Sequence, residues 1–174
     1  MIRTDSSDLD RITIKYVERE DRIRLAGQTS QGAAVIVWIT RRLLDRLLPR
    51  LVQRLEQALK AECEDTLRAN AMQSFAQQAA RTISIPQPPV RVNAAAAQWL
   101  AHSVDVSFAP RRVRLSFRDD EDRRVDITLE EGKLRQLLNI LYETYRRADW
   151  PTNAWPRWVC SAEAQKTAGE TRMH

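Results

Sequence analysis

Glycine, histidine and cysteine are all scarce in this chain of 174 residues, with four, two and two copies respectively. The glycines (Gly27, Gly32, Gly132, Gly169) do not cluster, so no phosphate-cradling loop of the P-loop or dinucleotide type is encoded. His102 and His174 make no pair and no Cys-x-x-Cys accompanies them, which leaves zinc without a ligand set. A Ser-His-Asp apparatus would need His102 as its base, with no elbow motif to present the serine. Cys63 and Cys160 lie far apart and read as free thiols of a reducing compartment. No run approaches the roughly 18 apolar residues of a membrane-spanning helix. The polar stretch Met1–Asp10 lacks the apolar core of a secretory leader. The expectation is a non-enzymatic cytoplasmic protein with no cofactor, no metal and no membrane contact. The acidic run Asp119–Asp122 imitates a cation site, but it lacks EF-hand spacing and Arg118, Arg123 and Arg124 flank it, so it reads as a solvated turn.

What is present is an ordinary globular balance. Hydrophobic residues make up 43% and charged residues 29% of the chain, enough to bury a core in one ordinary domain or two very small ones. Twenty-eight basic residues against 23 acidic ones leave a net charge of +5, which permits a polyanionic partner without demanding one.

The chain also resembles itself. Arg22–Ala58 laid on Arg112–Ala148 without a gap gives nine identities in 37 positions. Arg22-Ile23-Arg24-Leu25 falls on Arg112-Val113-Arg114-Leu115. Val35, Val37 and Ile39 fall on Val125, Ile127 and Leu129. Leu44, Leu47, Leu48 and Leu51 fall on Leu134, Leu137, Leu138 and Leu141. Each copy alternates apolar and polar residues as half-buried strands do, then changes to helical spacing. The predicted fold class is α+β, an internally duplicated β-β-β-α unit in pseudo-twofold arrangement, with antiparallel sheets each backed by a helix. Whether the two copies pack as a pair of sheets or join into one six-stranded sheet stays open.

The predicted organisation is a flexible N-terminus over 1–10 and a first repeat over 11–58. A helical extension over 59–81 follows, then a proline-containing crossover over 82–98. A second repeat covers 99–148, and a Trp/Pro tail, partly disordered, covers 149–174. The first helix carries a leucine stripe, and Pro49 inside it should kink it. Its extension is either a stalk or a second helix.

Two basic surfaces are candidates for nucleic acid. Arg42, Arg46, Arg50 and Arg54 recur every four residues along the first helix. Strand alternation places Lys15, Arg22, Arg24 and Trp38 on the sheet face opposite Ile23, Leu25 and Val37, where cations and a ring can hold phosphates and stack a base. The equivalent face of the second repeat shows Arg112 and Arg114 beside Asp105 and Asp126. Trp150, Trp155 and Trp158 fall within nine residues of one another, so they either fold back on the core or anchor a partner. Duplicated antiparallel strands followed by one helix resemble, in topology and repeat length, single-stranded nucleic-acid binders of the PUR-repeat and Whirly type. That likeness implies an open sheet face as the nucleic-acid surface. The expected function is therefore binding of single-stranded DNA or RNA. The alternative is a protein-interaction module or homodimeric adaptor that touches no nucleic acid and self-associates through the long helix.

Overall fold

The computed structural model describes residues 6–83 and 85–160, which form two compact units. The first takes the described residues up to Leu48 together with Pro86–Glu131, and the second takes Pro49–Ile85 with the residues from Gly132 onward. The α+β class is what the chain adopts.

The first unit is a seven-stranded sheet. Its strands are β1 (Ser6–Val17), β2 (Arg22–Thr29), β3 (Ala34–Thr40), β4 (Ala97–Leu100), β5 (Ser103–Ala109), β6 (Arg112–Arg118) and β7 (Arg124–Glu130). The spatial order is β4-β3-β2-β1-β7-β6-β5. Alternation decides the faces: Ile23, Leu25, Val37, Ile39, Val113, Leu115, Phe117, Val125, Ile127 and Leu129 share one face and are all buried. The turns explain where strands stop. Gly32 closes the β2–β3 turn at φ 85°, a conformation that suits glycine, and its N–H donates to the Thr29 carbonyl at 2.9 Å. Asp119 organises the β6–β7 turn by accepting the N–H groups of Glu121 and Arg123 on Oδ1, each at 2.9 Å.

Of the two arrangements left open by the sequence, a pair of sheets or one joined sheet, the strands take the second, as one sheet that is mixed and seven-stranded rather than six-stranded. Residues 6–10, expected to be flexible, are the start of β1, and Ser6–Asp8 pair in parallel with Arg124–Asp126 of β7. Residues 97–98, assigned to the crossover, begin β4, which pairs in parallel with β3. β4 and β5 sit at opposite ends of the strand order, yet Leu100 and Ser103 are three residue steps apart, at most about 11 Å. The sheet therefore curls until its ends adjoin. In the connection, the Ala101 N–H donates to the Trp38 carbonyl at 2.8 Å and the His102 N–H to the Arg118 carbonyl at 2.7 Å.

Positions 90 apart keep matching neighbours. Arg22 opposes Thr40 as Arg112 opposes Glu130. The parallel pairs are reciprocal: Ile36 lies beside Gln98, while Asp126 lies beside Asp8. β3 and β7 begin at 34 and 124, and the helices that follow them begin at 41 and 131.

The second unit is helical. α1 (Arg41–Lys60) enters it at Pro49 and continues to Lys60. The expected extension is a separate helix, α2 (Thr66–Thr82), because Asp65 caps a new start by accepting the Leu67 N–H at 3.0 Å. α3 (Glu131–Arg147) supplies the apolar centre through Leu134, Leu137, Leu138, Leu141 and Tyr145. The tail folds back on it. Trp150 and Trp155 meet the Tyr145 ring edge-to-face at 5.0 and 5.3 Å. Trp158 Nε1 donates to Glu56 Oε1 at 3.2 Å, and Arg135 lies over the Trp158 ring at 5.7 Å. All three tryptophans are buried, which is the fold-back arrangement of the two that the sequence left open. The disorder expected over the last residues, from 161, lies outside the described residues. Among the described residues, no helix is long and apolar enough to cross a membrane.

Candidate nucleic-acid interface

The sheet register brings three of the expected site residues into one row. Lys15 of β1 opposes Arg24 of β2, Arg24 opposes Trp38 of β3, and Trp38 lies beside Leu100 of β4. Directly opposed residues point to the same face. The row thus runs cation, cation, indole, apolar side chain across three strand spacings, about 14 Å. Lys15 is exposed, Arg24 and Trp38 are half-buried, and Leu100 is 43% exposed. Gln98, one row along, accepts the Trp38 indole N–H on Oε1 at 3.4 Å and so orients the ring. Arg22 stands in the next row between Val17 and Thr40.

Lys15, Arg22 and Arg24 make no ion pair among the described residues. The second half of the same face is different. Arg114 donates to Asp126 Oδ2 at 2.6 Å and to Asp8 Oδ1 at 3.2 Å. Arg124 donates to Asp126 Oδ1 at 2.8 Å, and that hydrogen bond raises the Arg124 pKa further above its ordinary value. Arg118 pairs with Asp105 at 3.2 Å, and Arg112 with Glu130 at 3.5 Å. The cause of the contrast can be read position by position. The two carboxylates that hold Arg114 are Asp126 and Asp8, and their counterparts 90 positions away are Ile36 and Gln98. Arg24 occupies the place of Arg114 with both counter-charges replaced by neutral side chains. Arg112 and Arg114 therefore do not join the row as open cations.

The helix stripe divides between the units. Arg42 and Arg46 are exposed on the part of α1 in the first unit, and Arg50 and Arg54 lie on the part in the second, with Arg50 exposed and Arg54 half-buried. Arg41 pairs with Asp45 at 3.6 Å within the first turn.

The other candidate chemistry is occupied locally. His102 is an exposed residue whose Nδ1 lies 3.0 Å from Asp120 Oδ1. Asp119 gives its oxygens to its own turn. Burial pushes its pKa up, but hydrogen bonds from the Arg123 guanidinium and from the Arg123 and Glu121 N–H groups outweigh this and hold it below the ordinary carboxylate value. Among the described residues, no cluster of three or more histidine, cysteine or acidic side chains is placed to hold a metal.

Leu100 and Gln98 are absent from the sequence-derived site. Their signal was weak because Ala97–Leu100 is short, and its partner β3 lies about 60 residues earlier. Compared with protein-family models, with curated proteins and with solved structures, the chain has no match.

Proposed function

We propose that this is a small, non-enzymatic, cytoplasmic binding protein whose ligand is single-stranded nucleic acid, held on the Lys15–Arg24–Trp38 row with Arg22 beside it. The single observation that carries the reading is that Arg24, next to a half-open indole, makes no ion pair among the described residues. Buried or half-buried cations are ordinarily paired, as Arg114 and Arg124 are. Cations left unpaired on a sheet, in line with a ring, suit a ligand that brings phosphates and stackable bases together. A single strand fits better than a duplex, because a ring in a sheet face stacks on bases that are already unpaired. Arg42 and Arg46 would add phosphate contacts that carry no sequence information.

We further infer that the chain is an internal duplication whose halves exchange their leading strands about a pseudo-twofold axis. The reciprocal pairs Ile36–Gln98 and Asp126–Asp8 support this, as does the common β2–β3 and β6–β7 register. In this reading one half keeps its face neutralised, as structure, and the other half has lost its acids and gained Trp38, as a binding surface.

The test is fluorescence anisotropy of the purified protein against labelled single-stranded DNA, single-stranded RNA and duplex DNA, across a salt series. The proposal expects tighter binding to a single strand than to duplex, with affinity falling as salt rises because phosphate contacts release counterions. Equal, weak binding to all three forms would reject it.

A further inference from the structure

Pro86-Gln87-Pro88-Pro89-Val90-Arg91, on the way from α2 to β4, holds three of the seven prolines of the chain. The segment lies in the first unit and outside its helices and strands. Its conformation follows from its composition. Each proline fixes its own φ at about −65°. Gln87 and Pro88 each precede a proline, which disfavours the α region and leaves an extended ψ. Such a run is polyproline II, a left-handed helix of about three residues per turn that rises about 3.1 Å per residue. The three prolines have no N–H to donate, so the segment is unsuited to joining the sheet as a strand.

Three residues per turn give three edges. One edge carries Gln87 and Val90, a second Pro86 and Pro89, a third Pro88 and Arg91. Of these six residues only Val90 is buried, so its edge is the one set against the protein. The Val90 N–H donates to Thr13 Oγ1 at 2.9 Å, and Arg11 Nη2 donates to the Pro88 carbonyl at 2.5 Å, so β1 fixes the segment. The other two edges, with all three proline rings, are exposed. Arg91 stands at their end, exposed and without an ion pair among the described residues. The three residues before Pro86 carry no charge, so a cation marks one end only.

We propose that Pro86–Arg91 is a docking ligand for a protein module with an aromatic-lined groove and an acidic pocket at one end of that groove, the chemistry of an SH3 domain. Such a groove takes the ring-bearing edges of a preformed polyproline II helix and leaves the remaining edge outside. Here the remaining edge is the one that Val90 already anchors. Pro86 and Pro89 are one turn apart, about 9 Å, and present successive rings to the groove. Arg91 follows two residues on, where its planar fork can donate bidentately to a carboxylate. Polyproline II is nearly alike read from either end, so the single cation gives the ligand its direction. The bonds to Thr13 and Arg11 hold the segment in shape beforehand, which lowers the cost of ordering it on binding. The inference is independent of the nucleic-acid reading, because no residue of the segment belongs to the Lys15–Arg24–Trp38 row.

The test is titration of the isotope-labelled full chain with a panel of purified SH3 domains whose ligands carry an arginine after the prolines, followed through the backbone amide signals. The expected result is saturable binding on the order of 10 µM, as suits an interface below the standard size, with the largest shifts at Gln87, Val90 and Arg91. Pro89→Ala and Arg91→Glu, both at exposed positions, should each weaken it about tenfold with the melting temperature unchanged. No binding by any domain of the panel at about 0.5 mM would overturn the proposal. So would binding that both variants leave unchanged, since that complex would use another surface.

Discussion

Arg24 and Arg114 stand 90 positions apart in matching registers, with opposite surroundings. Arg114 is held between Asp8 and Asp126, whereas the positions that correspond to these two acids near Arg24 are Gln98 and Ile36. The contrast can be moved by one residue. Gln98 is exposed, so Gln98→Asp should fold normally while placing a carboxylate where Asp8 stands relative to Arg114. Its expected effect is a loss of roughly 1–2 kcal/mol in single-strand affinity with stability changed by no more than about 0.5 kcal/mol. Equilibrium titration with a paired urea melt checks both halves. Trp38→Ala should cost about 1–3 kcal/mol of affinity, the range for one stacked base. A pH effect belongs to Asp119. Its folded pKa is depressed, so its contribution to stability is present above the ordinary carboxylate value and lost as pH falls through the folded value. Asp119→Asn should therefore destabilise the protein at pH 7, and the difference from wild type should shrink towards zero in strongly acidic buffer, as followed by urea melts at each pH.

Among the elements, those with local signals were legible in the sequence. β2, β3, β6 and β7 alternate cleanly, and the helices after β3 and β7 carry leucines at helical spacing. The start of β1 and all of β4 were not legible. They are short, they pair in parallel, and their partners lie more than 60 residues away, so nothing in a local window announces them. The consequence reached the site: Lys15, Arg22, Arg24 and Trp38 were identifiable from alternation alone, but the neutral neighbours Gln98 and Leu100 that set their environment were not. α2 was hard to read for another reason, since two of its four buried positions are the amides Gln73 and Gln77 while Leu67 and Phe75 are exposed. The tail was legible as an alternative between anchoring and folding back, and Tyr145 decides it by meeting both Trp150 and Trp155. Trp155→Ala should cost about 3–5 kcal/mol of stability, measured by chemical denaturation, because it empties a packed aromatic cluster.

For the molecule as a whole, a net charge of +5 is too small to make it a general polyanion sponge. Most arginines on the second half of the sheet face are paired with neighbouring acids, whereas Lys15, Arg22 and Arg24 on the first half make no ion pair among the described residues. The most direct measurement compares single-strand binding by the wild type, Arg24→Gln and Arg112→Gln over a salt series. Both arginines lie on the same sheet face, and among the described residues Arg112 has a carboxylate partner, Glu130 at 3.5 Å, while Arg24 has none. Arg24→Gln should weaken binding about tenfold and make the salt dependence shallower by about one ion, while Arg112→Gln should change neither. Equal losses in the two variants, or no loss in Arg24→Gln, would contradict it.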